Sequence, residues 1–409
     1  MSAVPIAAVL ALALARGWDS YRAGRQWHAA EDALHRYDLD AAAAALDRYI
    51  ELRPRDPAGY FLAARTARRQ GRFVEAGRYL GQSEQLGGPT DATRLEWDLI
   101  LVQQGQLDGV DARLRATIGP DHPDAPLVLE AMARSYLDAG RFPDAQQACD
   151  LWRSRQPENP WPWLWSGWIA ERHHYLHIAI GEYRRAVELA PDYVEARAAL
   201  ARVLLRQRQA APAAEHYEWL LARNPDDPEA LLGLAGCRVE QGRTGEAVPL
   251  LDRVLERNPF SYTGLYLRGK AALEQGDPVA AEDWLRRAVG EQPNEVEALH
   301  HLVSSLRAQR KDAEADSLAR RLDELRADLD RFEKALGMSS ARPADAAPTR
   351  EAGVIALRLG RTAEGLNLLR DSLRRKGDPR PTHAALAGYY RQAGDPARAA
   401  FHQRFADQP

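Results

Sequence analysis

Apolar positions along this chain gather into pairs of helix-length stretches, and small residues and turn formers punctuate them at fixed places. In the stretch that ends at Pro259, Pro228 opens a helix over residues 228–239. Gln241-Gly242-Arg243 turns the chain, and a second helix over residues 246–257 stops at Asn258-Pro259. Proline closes such a helix because it cannot donate the next backbone hydrogen bond. Gly71, Gly105, Gly140, Gly242 and Gly276 occupy the turn between paired helices, where a positive φ costs glycine least.

The pairs repeat. Prolines stand at 54, 89, 123, 157, 191, 225, 259 and 293, the first interval being 35 residues and the next six 34. Twelve residues before a proline lies a small side chain: Ala42, Ala145, Ala179, Ala213, Ala247 or Ala281. Twenty-four before lies another: Ala30, Ala133, Gly167, Ala201, Ala235 or Gly269. Small residues at fixed registers mark close helix crossings, which a bulkier side chain would overpack at about 1–3 kcal/mol. In the unit before Pro123, Leu99 and Asp111 replace them, so an irregular crossing is expected there.

The units Trp163…Gly167…His174…Ala179…Tyr183…Ala186…Pro191 and Leu231…Ala235…Gly242…Ala247…Leu251…Pro259 resemble the tetratricopeptide repeat (TPR) family, over about residues 23–329. The resemblance implies an all-α fold, a right-handed superhelical solenoid of antiparallel helix pairs with a concave groove lined mainly by first helices. Co-chaperone members grip a C-terminal carboxylate with Lys and Asn on first helices. Here those helices hold no Asn and only Lys270, so that mode is not expected. Physically, each pair hides one face only against its neighbours, which makes the core continuous along the stack.

The array changes character near its end. From Lys311 a longer helix is expected to run to about 336, with Leu318, Leu322, Leu325, Leu329, Phe332 and Leu336 at alternating spacings of four and three. Such a seam either folds back on the end of the array or joins two copies of the chain. Residues 337–349 read as a linker, and residues 350–409 restore the repeat spacing for two further units. The organisation expected is therefore an N-terminal segment over 1–17, about eight units over 18–336, the linker, and the last two units. At the N-terminus an apolar run covers residues 3–15, about 20 Å as a helix against a hydrocarbon core of ~30 Å. Its length suits a signal-peptide core or a short anchor, with Ala13-Leu14-Ala15 as a small-x-small cleavage site and Arg16, Arg22 and Arg25 behind it. Membrane association or export is the expectation, with the side open.

Composition narrows the function. The 409 residues are 45% hydrophobic and 28% charged, and 55 basic against 58 acidic groups leave a net charge of −3. No global field favours nucleic acid. Two cysteines make no disulfide framework or ligand cluster, and Cys149 falls at a large apolar register that implies a core thiol. No phosphate-binding loop, nucleophile elbow or metalloprotease motif is present, and the repeats account for nearly every residue. No catalytic residues, no cofactor and no metal are therefore expected. His173, His174 and His177 straddle a turn with no third ligand in view.

Candidate binding chemistry centres on residues 161–168. Trp161, Trp165 and Trp168 share one helix face, which the resemblance sets beside the groove; their rings either face a partner or fill gaps between units. Trp161 and Trp168 are expected to be exposed. Arg134, Arg202 and Lys270 repeat the register of Trp168, and Arg172 and Arg206 lie one turn on. Guanidinium groups among aromatic anchors suit an extended peptide with acidic or C-terminal carboxylate groups, unless they are paired with Glu171, Glu195 and Glu229. The expected function is a noncatalytic scaffold for a protein or peptide partner. The alternatives are a self-assembling structural subunit using the 318–336 seam and a targeting subunit of an enzyme complex.

Overall fold

The computed structural model describes residues 6–106, 114, 117–119 and 122–408, with side chains from residue 17 onward. The chain divides into two units, residues 1–216 and 217–409. Among the described residues the first carries α1 (Ile6–His35), α2 (Leu39–Leu52), α3 (Pro57–Arg69), α4 (Phe73–Gln85), α5 (Thr90–Gln103), α6 (Ala125–Asp138), α7 (Phe142–Arg155), α8 (Trp161–Arg172), α9 (Leu176–Leu189), α10 (Val194–Arg206) and the start of α11 (Ala210–Arg223). The second carries α12 (Pro228–Glu240), α13 (Thr244–Arg257), α14 (Tyr262–Glu274), α15 (Pro278–Glu291), α16 (Val296–Ala308), α17 (Asp312–Ala341), α18 (Ala346–Arg358), α19 (Thr362–Ser372), α20 (Arg380–Gln392) and α21 (Pro396–Ala406). No strand occurs among the described residues; the one extended pairing is an isolated bridge between Asp345 and Lys376. The fold is an all-α solenoid of antiparallel helix hairpins.

Local chemistry sets the helix starts. Asp38, Asp227 and Asp277 accept hydrogen bonds from the backbone N–H groups of Ala41, Ala230 and Ala280 at 3.0, 2.9 and 2.9 Å. Losing such a cap costs ~1 kcal/mol. The hairpin turns all cross the left-handed region. Glycines supply it at 71, 105, 140, 242, 276, 360 and 394. At the equivalent place in other hairpins stand Tyr37, His174, Arg208 and Arg310, with φ of 58°, 60°, 56° and 57°.

The expected small residues lie at the crossings. A Cβ on Gly167 would stand 2.5 Å from the Tyr183 ring, and one on Gly269 would stand 2.6 Å from Leu285. Ala42, Ala145, Ala179, Ala247 and Ala281 are wholly buried. Leu99, the bulky exception, is also wholly buried and packs with Val102, Leu114, Val128 and Ala131. Asp111 lies outside the described residues. Cys149 sits in the core beside Trp152, and burial pushes its thiol up to about 12.

Two expectations about the ends need correction. Among the described residues no helix is long and apolar enough to cross a membrane. The run proposed as a signal or anchor continues from Ile6 into the same helix as Trp18, Arg22 and Arg25, and its apolar part is too short to span. Residues 1–5 lie outside the described ones. At the other end, α17 runs on to Ala341 and α18 begins at Ala346, so most of the expected 337–349 linker is helical. Ser339 explains the continuation: its hydroxyl meets that of Thr349 at 2.7 Å and accepts from Arg375 Nη1 at 2.9 Å. The leucine seam is used up inside the chain. Leu322, Leu325 and Phe332 are buried against Leu299 of α16, Ile355 of α18 and Leu359 just after it, with Leu318, Leu329 and Leu336 at the margin.

Candidate functional site

The first unit contains an aromatic contact that spans several hairpins. The turn after α1 holds Tyr37 with positive φ, and this carries its ring across to α8, where it stacks on Trp161 with centroids 3.5 Å apart and planes 28° apart. Trp161 also meets Tyr193, just before α10, at 4.4 Å. The Tyr37 hydroxyl donates to Glu130 Oε1 of α6 at 2.5 Å, and Arg69 Nη2 of α3 donates to Glu130 Oε2 at 2.6 Å. Burial, and then the Glu130 charge, push the Tyr37 phenol well above its ordinary range, so it stays a neutral donor. Beneath lies a second buried pairing, in which Glu96 accepts from Arg65 Nε at 2.7 Å and Arg68 Nε at 2.6 Å. Burial opposes ionisation of Glu96, but the charges of Arg68 and Arg65 prevail and hold its carboxyl low.

Two clefts share the Tyr37–Trp161 stack as wall. One, about 750 Å³, is lined by Trp27, Arg65, Arg69, Glu130 and Trp152 in addition to the stack. The other, about 1080 Å³, has Leu164, Trp165 and Tyr193 on its lining and Arg36, Arg72 and Arg134 among its charged groups.

The residues singled out by sequence fall into separate places. Trp161 and Trp165 are each 8% exposed; Trp165 lies edge-on to Trp152 at 5.4 Å. Trp161 is therefore not the exposed anchor expected, because Tyr37 and Tyr193 from other hairpins cover its indole. Trp168 is 37% exposed, edge-on to Phe142 at 6.0 Å, with the Arg172 guanidinium 5.5 Å above its ring. Arg202 and Arg206 both bind Glu171, at 2.9 and 2.8 Å. Burial disfavours the Glu171 anion, yet hydrogen bonds from Arg202 and Tyr183 and the charge of Arg206 hold its carboxyl below the usual range. Arg134 pairs with Asp138 at 3.3 Å. Lys270 belongs to the second unit, 4.0 Å from Glu274.

Sequence reasoning missed Tyr37, Tyr193, Arg69 and Glu130. One signal was available: a tyrosine at 37 occupies the register where glycine stands in most other hairpins. His173 caps α8, His174 holds the turn and His177 lies in the first turn of α9. Among the described residues no group of three or more His, Cys, Asp or Glu is placed to hold a metal ion.

The tetratricopeptide repeat family model matches residues 28–91, 198–250 and 238–296. Solved structures similar to this chain include YrrB, described as a TPR protein with an unusual peptide-binding site (18% identity, 46% of this chain and 96% of that one, TM-score 0.41). Others are a tetratricopeptide repeat protein from Parabacteroides merdae (17%, 64% and 97%, 0.42) and the human IFIT1 dimer with m7Gppp-AAAA (17%, 86% and 89%, 0.39). These likenesses concern the fold alone. No curated protein matches the sequence.

Proposed function

Because this chain belongs to the tetratricopeptide repeat family, we propose that it is a noncatalytic scaffold holding an extended segment of a partner protein in the groove of its first unit. The observation that carries the reading is the pair of open clefts on either side of the Tyr37–Trp161 stack. Their walls bring aromatic faces and ionised side chains together on rigid helices, a combination that anchors peptides at small entropic cost to the scaffold. The anchors are not free-standing indoles. Trp161 and Trp165 form a floor fixed by the core, and Trp168 with Arg172 makes a separate, more exposed patch. Arg202 and Arg206 are committed to Glu171, so an acidic partner finds little there to attract it.

A photo-crosslinking residue in place of Leu164, on the lining of the larger cleft, tests the reading in the full chain. The expected adduct joins Leu164 to one defined segment of another polypeptide. Adducts that form from surface sites of the second unit, with none from 164, would overturn it.

A further inference from the structure

Charge identifies what kind of segment the larger cleft takes, a step that rests on the groove reading above. Among the described residues on its lining, Asp38, Asp40, Asp47, Asp192 and Glu195 outnumber Arg36, Arg72 and Arg134. Two of those arginines face carboxylates off the lining, Arg72 with Glu75 at 2.8 Å and Arg134 with Asp138 at 3.3 Å. Three of the acidic groups are held by neutral donors instead: Asp38 accepts from the Ala41 backbone N–H at 3.0 Å, Asp40 from Gln70 at 2.7 Å and Asp47 from Tyr79 at 3.0 Å. Those bonds fix the carboxylates in place and leave their charge unspent.

A second feature of the same wall agrees. Tyr193 is only 5% exposed, and its hydroxyl is buried with no hydrogen-bond partner among the described residues. A phenolic oxygen accepts from ammonium or guanidinium N–H groups, and the parts of Trp161 and Trp165 left on the lining are apolar surface. We propose that this cleft receives a basic, extended segment of a partner polypeptide, with an apolar side chain on the Trp161–Trp165 floor and Lys or Arg side chains opposite Asp47 and Glu195. The excess of carboxylates steers such a segment inward, and salt weakens its approach.

A random peptide library selected on the immobilised full chain tests this, with the double variants Asp47→Lys/Glu195→Lys and Asp47→Asn/Glu195→Gln as comparators. All four substitutions fall on exposed positions. Circular dichroism establishes that both variants keep their helicity. The expected result is enrichment of peptides with net positive charge, whose affinity falls as salt rises. Charge reversal should cost them about tenfold or more, and neutralisation a smaller loss. Enrichment of neutral or acidic peptides that are displaced by Trp165→Ala would overturn the charge assignment and leave the groove reading standing. Absence of any enriched peptide sensitive to substitutions in the cleft would overturn both.

Discussion

Single side chains in the second unit show how much one buried charge depends on its partners. Glu282 of α15 is 8% exposed and accepts from Lys311 Nζ at 2.5 Å, from Gln309 Nε2 at 2.7 Å and from Arg286 Nε at 2.9 Å. The Lys311 hydrogen bond is the largest influence; burial acts against it, Arg286 and Gln309 add to it, and the carboxyl sits at about 2 rather than its ordinary 4.5. A carboxyl that is more acidic when folded stabilises the fold above its ordinary value, and the gain disappears as pH falls towards the folded value. Urea unfolding should therefore place wild type above Glu282→Gln near neutrality. The gap should narrow between about pH 4.5 and 2, the window set by this linkage. A gap constant over that window would show that the carboxylate charge contributes nothing.

Whole hairpins follow one turn geometry whatever residue supplies it. Gly242 and Arg310 occupy the same place in their hairpins with φ of 71° and 57°, so the two sites invite opposite substitutions. Gly242→Ala should lower stability by about 1 kcal/mol, whereas Arg310→Gly should raise it by about 0.5 kcal/mol, strain relief outweighing the entropy of a freer unfolded chain. Thermal unfolding of the two variants reads both signs. This register also marks how far the sequence could be read. Proline spacing and small residues located the hairpins, because each is a local demand of helix termination or close crossing. The end of α17 escaped that reading, since it depends on Ser339 meeting Thr349 and Arg375 from neighbouring helices. The site was less legible still. Trp161 was visible as an aromatic on a helix face, but its burial depends on Tyr37 and Tyr193, which no periodicity connects to it.

Across the whole molecule, the hydrophobic seam of α17 joins hairpins within one chain. Leu322 is 4% exposed among Leu299, Ile355 and their neighbours, so Leu322→Ala should cost about 2–5 kcal/mol and lower the melting temperature. Sedimentation should give the same mass before and after. A drop in mass would instead make the seam a joint between copies. The Tyr37 contact bears on the molecule differently. An ideal stack of hairpins contacts only nearest neighbours, so its terminal members can come loose one at a time. Here the turn after α1 is fastened to Glu130, 93 residues away, and to Trp161 beyond it. Peeling away the N-terminal hairpin therefore also has to pull the Tyr37 ring off α8 and its hydroxyl off Glu130, so fraying at this end carries a cost that a plain stack of hairpins would not impose.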